Sequence, residues 1–165
     1  MGEGKSWGSG GGAVTKILSD WQVSGIFSAI HGQPFSLTAS GASLNAKFQR
    51  QTPNQVGAVN KLGGVGTGNP FYDTAAFAPV TTVSYGNVGR TSLYGPGSVN
   101  MDFSLFRTFK MTERLGLQFR ADAANFFNAP HFNNPNGSRS SGNFLTITGA
   151  KNDERQFRFG LRMSF

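Results

Sequence analysis

The sequence predicts an all-β fold, an antiparallel meander of four long strands joined by long loops. The clearest strand is the last one, because from Phe157 to Phe165 every odd position is large and apolar and every even position is polar or glycine. Successive side chains of a strand point to opposite faces, so this alternation gives one apolar and one polar face. The lengths of the connections and the composition support the same prediction.

Three earlier segments show the same period. Residues 115–128 and 99–105 alternate clearly, whereas 21–29 alternates more weakly and continues to 39 after a predicted kink at Gly32 and Pro34. An amphipathic helix over 115–128 is excluded because its apolar residues would spread around the helix surface. We expect the meander to run up through 14–39, down through 99–111, up through 115–128 and down through about 144–165.

The connections between these strands differ in length. Residues 111–114 form a tight turn, whereas 41–98 and 129–143 are long excursions rich in glycine, asparagine and proline. Short turns on one rim and long loops on the other are typical of outer-membrane barrels. The last strand would extend about 36 Å at ~3.3 Å per residue, and a tilt near 45° would give it a height of about 25 Å, that of the apolar band. We therefore expect the four strands to be part of a transmembrane β-barrel.

A soluble β-sandwich, acting as a ligand-binding or adhesin domain, is the alternative. Such a sandwich usually has about seven short strands at regular spacing. Here the pattern shows four long strands and one very long loop. A sandwich would be favoured if the protein stayed monodisperse in water without detergent.

The composition also points away from an ordinary soluble domain and from a nucleic-acid binder. Charged residues make up 14% of the chain, against about 25% in average domains, while Phe occurs 16 times. The formal charge of +7 comes from scattered Lys and Arg. Phe157 and Arg158 alternate, but side chains on opposite faces of a strand cannot form one stacking platform for bases. We therefore predict no nucleic-acid partner.

No motif for catalysis, cofactor or metal is found. The chain has no Cys, and His31 and His131 lie far apart without metal-ligand spacing. The glycines of 63–68 are followed by Asn69 and Pro70 instead of the Lys and Ser or Thr of a phosphate loop. We expect the protein not to be an enzyme and to use neither cofactor nor metal.

The two faces of the strands are assigned from the alternation. We expect the lipid to be contacted by apolar side chains at odd positions, namely Phe103, Phe119, Phe157, Phe159, Leu161 and Met163. The acidic residues Asp20, Asp102 and Asp122 lie among Gln and Arg, where ion pairs are the ordinary role. The residues predicted to face the barrel lumen are Asp102, Gln118, Arg120, Asp122, Arg158 and Arg162.

Several pieces of the sequence resemble known outer-membrane proteins. The ending RQFRFGLRMSF looks like the C-terminal insertion signal read by the barrel-assembly machinery, which here would consist of Phe157, Phe159, Leu161, Met163 and Phe165. More specifically, six pieces in this order resemble the end of Oar-like TonB-dependent receptors: DWQVSGI at 20–26, GQPF at 32–35, YGNVGR at 85–90, GPG at 95–97, DFSLF at 102–106 and LQFRADAANFFN at 117–128. The resemblance extends over nearly the whole chain.

Members of that family are much larger. They carry a carboxypeptidase-regulatory-like module, a plug with the TonB box, and a barrel of about 22 strands through which substrates pass. The resemblance implies that residues 1–165 are the C-terminal barrel portion of such a transport receptor, that 1–13 is a periplasmic turn, and that 41–98 and 129–143 are extracellular loops. The transported substrate cannot be read from the residues, and the basic loop 41–98 is either a binding surface or simply solvated.

The resemblance also implies the partners and the location. We expect the chain to contact outer-membrane lipid and the barrel-assembly machinery, and to complete a barrel with upstream barrel and plug strands or as a homo-oligomer. The location would be the cell outer membrane of the Gram-negative type, if the protein is exported. No signal peptide is recognised in the sequence, because the start is glycine-rich and lacks an apolar core, and we expect a fragment or an internal start.

Overall fold

A computed structural model describes residues 20–45, 50–151 and 153–165. Of these, 20–28, 99–129 and 153–165 form one compact unit, which we name the sheet unit, and 29–45, 50–98 and 130–151 form a second, the loop unit. The predicted periplasmic turn at 1–13 lies outside the described residues. Within the described part of the chain, no helix is long and apolar enough to cross a membrane.

The described residues form eight strands. Four are long and four have two residues each: β1 Gln22–Ile30, β2 Pro34–Phe35, β3 Asn54–Gln55, β4 Phe77–Ala78, β5 Leu93–Tyr94, β6 Ser98–Lys110, β7 Gly116–Ala124 and β8 Gln156–Ser164. The long strands form one antiparallel sheet in the order β1-β6-β7-β8. This confirms the predicted all-β meander of four long strands.

The register of the sheet decides which side chains share a face. In β6, β7 and β8, Phe103 pairs with Ala123, and Ala123 pairs with Phe157. Odd positions therefore lie beside odd positions across all three strands, and even positions beside even ones. The predicted tight turn between β6 and β7 is confirmed, since the backbone N–H of Met111 donates to the carbonyl of Leu115 at 2.9 Å.

Three predicted strands extend less far than expected. The strand predicted over 115–128 is β7, which ends at Ala124, because Asn125 leaves the extended conformation with a positive φ angle. The first strand was expected to continue to 39, but β1 ends at Ile30 because Gly32 lies against the backbone of residue 95, where a Cβ atom would stand 1.8 Å from the Gly95 carbonyl oxygen. The last strand was expected to begin near 144, but β8 begins at Gln156. The apolar residues around 145 are buried in the loop unit instead. The segment from about 144 to 155 is therefore part of the loop unit or of the connection to β8 and not of the strand.

The loop unit has a hydrophobic core although it contains little regular structure. Its strand pairs, β2 with β5 and β3 with β4, span two residues each. The described part of 41–97 has no longer strand. The core consists of Leu37, Phe71, Tyr72, Ala76, Phe77, Val88, Leu93, Phe144, Leu145 and Ile147. The sequence had suggested local turns here, and the packed core was not predicted.

Buried polar side chains replace sheet hydrogen bonds in the loop unit. Gln51 is 1% exposed; its Nε2 donates to the Ser84 carbonyl at 2.8 Å, and its Oε1 accepts from the backbone N–H of Gly86 at 3.0 Å. Arg139 donates from Nε to the Phe77 carbonyl at 3.0 Å and lies over the ring of Phe144. Backbone groups buried in a loop need such partners, and these contacts fix the loop conformation.

Candidate functional site

The apolar face of the sheet is exposed to an unusual extent. Phe159 is 73% exposed and Leu161 72%, although both lie in a regular strand. The rings of Phe119 and Phe159 stack across β7 and β8 with centroids 6.5 Å apart. Contiguous apolar patches of this kind mark a surface that contacts another apolar phase or partner.

The opposite face carries the polar side chains. Register places Asp122 beside Arg158 and Gln118 beside Arg162. Together with Arg120 and Asp102, these even-numbered residues share one face of β6, β7 and β8, so the structure brings together the six residues predicted to face the lumen. Their orientation toward a lumen stays a prediction.

Asp122 is the centre of the hydrogen bonding on this polar face. Arg120 donates from Nε to both of its carboxylate oxygens, at 3.0 and 2.8 Å, and the Ser104 hydroxyl donates to Oδ1 at 2.6 Å. Asp102 accepts from the backbone N–H of Asn125 at 3.0 Å and from the Asn100 amide. Both carboxylates are held by donors, which suits a structural role better than proton transfer.

An aromatic cluster at the turn end of the sheet was missed in the sequence. The rings of Phe109 and Phe119 lie edge-to-face against Trp21, with centroids 6.3 and 6.1 Å away. The guanidinium of Arg107 lies 4.3 Å from the centroid of Phe109. Arg107 sits at an odd position, so it breaks the apolar pattern on its face of β6. The sequence contained one signal for this cluster, namely a Trp and an Arg close to the strand ends beside the short turn.

Such a cluster is typical of a membrane interface. Aromatic girdles flank the apolar band of outer-membrane barrels. The face of an aromatic ring also attracts a guanidinium cation. Arg107 is 5% exposed, so its cation is packed among rings and not presented to solvent.

The structure assembles no metal centre in the part of the chain that it describes. No group of three or more His, Asp or Glu residues there could hold a metal ion. His131 is buried, whereas His31 is exposed and lies edge-to-face with Tyr94. Gly63, Gly66 and Gly68 have positive φ angles, a conformation that glycine adopts without steric cost.

The comparison with protein families decides between the barrel and the soluble sandwich. A family model described as an outer membrane beta barrel domain matches residues 1–158. The chain belongs to this outer-membrane barrel family. No curated protein and no solved structure matches it significantly.

Membership in the barrel family explains the two faces of the sheet. Strands of outer-membrane barrels alternate between apolar side chains that meet lipid and polar side chains that meet the interior. The sequence-based expectation of an outer-membrane barrel is confirmed at this level, and the expectation of a soluble sandwich is not supported. Identity with the Oar-like receptors is a finer statement that the match does not make.

Proposed function

We propose that this chain forms part of the barrel wall and the surface loops of a TonB-dependent transport receptor of the Oar-like kind, without catalysis. The observation that carries the proposal is the exposed apolar face of β8, where Phe157, Phe159, Leu161 and Met163 are each more than half exposed. Exposure at four alternating positions of one strand is costly in water and favourable in lipid. The finer assignment to TonB-dependent transport is supported by the resemblance of the six sequence pieces.

In this proposal the odd-numbered face of β6, β7 and β8 contacts lipid and the even-numbered face lines the lumen. The nine residues of β7 and of β8 match the length of about 9 to 11 residues that tilted strands need to cross the hydrocarbon core. The cluster of Trp21, Phe109 and Arg107 then lies at the periplasmic rim, next to the short turn. Residues 41–98 and 129–143 are the extracellular loops.

Four strands cannot close a barrel of this type. The smallest closed barrels in outer membranes have about 8 strands, and an open edge in lipid leaves backbone groups without partners. The sheet has β1 and β8 at its two edges. We propose that both edges pair with further barrel strands, first with strands of the same receptor and otherwise with further copies of this chain.

The C-terminal strand is proposed to be the signal that the barrel-assembly machinery recognises. Phe165 is 99% exposed, so it stabilises nothing within the chain. An exposed aromatic at the end of an alternating strand suits recognition by another protein. The proposed location is the outer membrane of a Gram-negative cell.

The experiment uses an antibody against the exposed peptide 81–87, applied to membrane fractions of the native cells. We expect the antigen in the outer-membrane fraction, on a polypeptide clearly longer than 165 residues that carries a plug segment. Uptake of solute through this polypeptide should stop when an uncoupler collapses the proton-motive force. A cytosolic antigen would refute the barrel assignment, and uptake unaffected by the uncoupler would refute only the TonB-dependent part.

A further inference from the structure

The loop unit contains a small cavity that is lined largely by polar side chains. It has a volume of about 160 Å³ and is lined by His31, Gln33, Asn133, Asn134, Phe132 and Lys151, among others. It opens to solvent, because His31, Gln33 and Lys151 are exposed, and it has room for several waters or for one small organic molecule.

Two hydrogen-bonded pairs of segments hold the cavity in shape. In the first, the backbone N–H of Gly95 donates to the Gln33 carbonyl at 2.9 Å, next to the pairing of β2 with β5. In the second, the N–H of Lys151 donates to the His131 carbonyl at 2.7 Å, and the N–H of Asn133 donates to the Gly149 carbonyl at 3.1 Å. The walls are therefore fixed by backbone pairing, and the site is formed before a ligand arrives.

Close packing joins the two pairs at Asn134. A Cβ atom at position 95 would stand 2.0 Å from Asn134 Oδ1, so a side chain at this position would displace the Asn134 amide. Gly32 likewise has no room for a side chain, because a Cβ atom would meet the carbonyl of Gly95. Gly32 of the GQPF piece and Gly95 of the GPG piece therefore allow the segments that carry the polar lining residues to approach each other closely.

The lining determines what kind of molecule fits. Lys151 supplies a positive charge, and the amides of Gln33, Asn133 and Asn134 supply donors and acceptors. Phe132 and Ile30 provide apolar wall. Among the described residues, the lining contains no carboxylate that would neutralise the lysine or repel an anion.

We propose that this cavity binds a small organic anion, a sugar-sized molecule whose carboxylate or phosphate group pairs with Lys151 while its hydroxyl groups bond to the amides. A charge-assisted bond to Lys151 supplies selectivity for an anion over its neutral analogue. This inference deepens the proposed function, because the cavity would be the place where the receptor captures its solute. The role of the cavity therefore rests on the proposed function. Binding itself needs neither TonB nor transport.

The test measures binding to the full chain refolded in detergent, by calorimetry and by NMR of backbone amides. The probes are D-glucuronate and D-glucose 6-phosphate, with D-glucose as the neutral control. We expect at least one of the two anions to bind and to shift the amide signals of Gln33, Asn134 and Lys151. Lys151→Met should weaken that binding about tenfold, which corresponds to 1.4 kcal/mol.

Arg90→Met is the matched control, because Arg90 is an exposed cation of the same loop unit that does not line the cavity. It should leave the affinity unchanged.

The proposal is overturned if neither anion binds at millimolar concentration, if D-glucose binds as tightly as D-glucuronate, or if both methionine variants weaken binding equally. If the receptor imports solute in a TonB-dependent manner but binds neither anion, only the proposed anion binding by the cavity is contradicted. Anion binding without TonB-dependent uptake would contradict only the transport proposal.

Discussion

The loop unit and the sheet unit treat their apolar side chains in opposite ways. In the loop unit Leu37 and Ile147 are each 1% exposed, whereas in the sheet unit Leu161 is 72% exposed. The loop unit has little regular structure but a packed core, and the sheet unit has regular strands with an uncovered apolar face. Regular secondary structure and burial are therefore separate properties in this protein, and the proposed barrel accounts for the difference by the surroundings of each unit.

In the proposed barrel, water would surround the loop unit and lipid would contact the apolar face of the sheet. Segments surrounded by water are stabilised when their apolar side chains pack against each other. A strand that faces lipid gains nothing from hiding its side chains, but it must satisfy every backbone hydrogen bond. The burial in each unit is what the proposed barrel would require.

The largest effect on stability is expected in the core of the loop unit. Leu37→Ala should lower the free energy of unfolding of the loop unit by about 2 to 5 kcal/mol, because it removes a fully buried side chain and leaves a cavity. Hydrogen exchange of the loop amides would measure this loss. The control is Leu62→Ala, since Leu62 is 59% exposed and should change stability by no more than about 0.5 kcal/mol. Equal losses at both positions would contradict the packed core.

The second prediction concerns the apolar face of the sheet. Phe159→Arg should cost about 2 to 4 kcal/mol in a bilayer if Phe159 lies near the midplane. Equilibrium unfolding in lipid vesicles would measure it. Phe127, which is 62% exposed and follows β7, serves as the matched position, and Phe127→Arg should cost about 0 to 1 kcal/mol near the interface. A neutral Phe159→Arg would show that this face does not meet lipid.

The third prediction separates assembly from stability. Phe165→Ala should change the free energy of unfolding by no more than about 0.5 kcal/mol, because the side chain has almost no contacts within the chain. It should nevertheless reduce the amount of protein in the outer-membrane fraction strongly, whereas Phe165→Tyr, which keeps the terminal ring, should not. Equal amounts of the wild-type and Ala proteins in that fraction would remove the argument for an assembly signal.

The smallest effect is expected on the polar face. Arg120→Gln removes the ion pair with Asp122, whose side chains are 61% and 33% exposed. Exposed pairs stabilise proteins little, because water and salt screen them. We expect no measurable change in the unfolding midpoint, while Ser104 keeps its hydrogen bond to Asp122. A large destabilisation would show that water screens this ion pair less than the exposure of the two side chains suggests.

The sequence alone determined the four long strands, their order and the composition of their two faces. Alternation with period two follows from the geometry of a single strand, so the pattern around Phe119 or Phe159 can be read without knowing any partner. The six polar residues predicted on one face do share it, because the register pairs even positions with even positions.

Only the tertiary structure decided where strands end and how the loops pack. β1 stops at Ile30 because of the close backbone approach at Gly32, a contact with residue 95 that no local pattern reveals. The apolar residues near 145 could have extended β8, and they are buried because Phe71 and Leu37 provide a core from distant parts of the chain. Arg107 is buried on its face of β6 because the rings of Trp21 and Phe109 pack against its guanidinium. Contacts between residues far apart in sequence leave no period, and for that reason they become visible only in the folded chain.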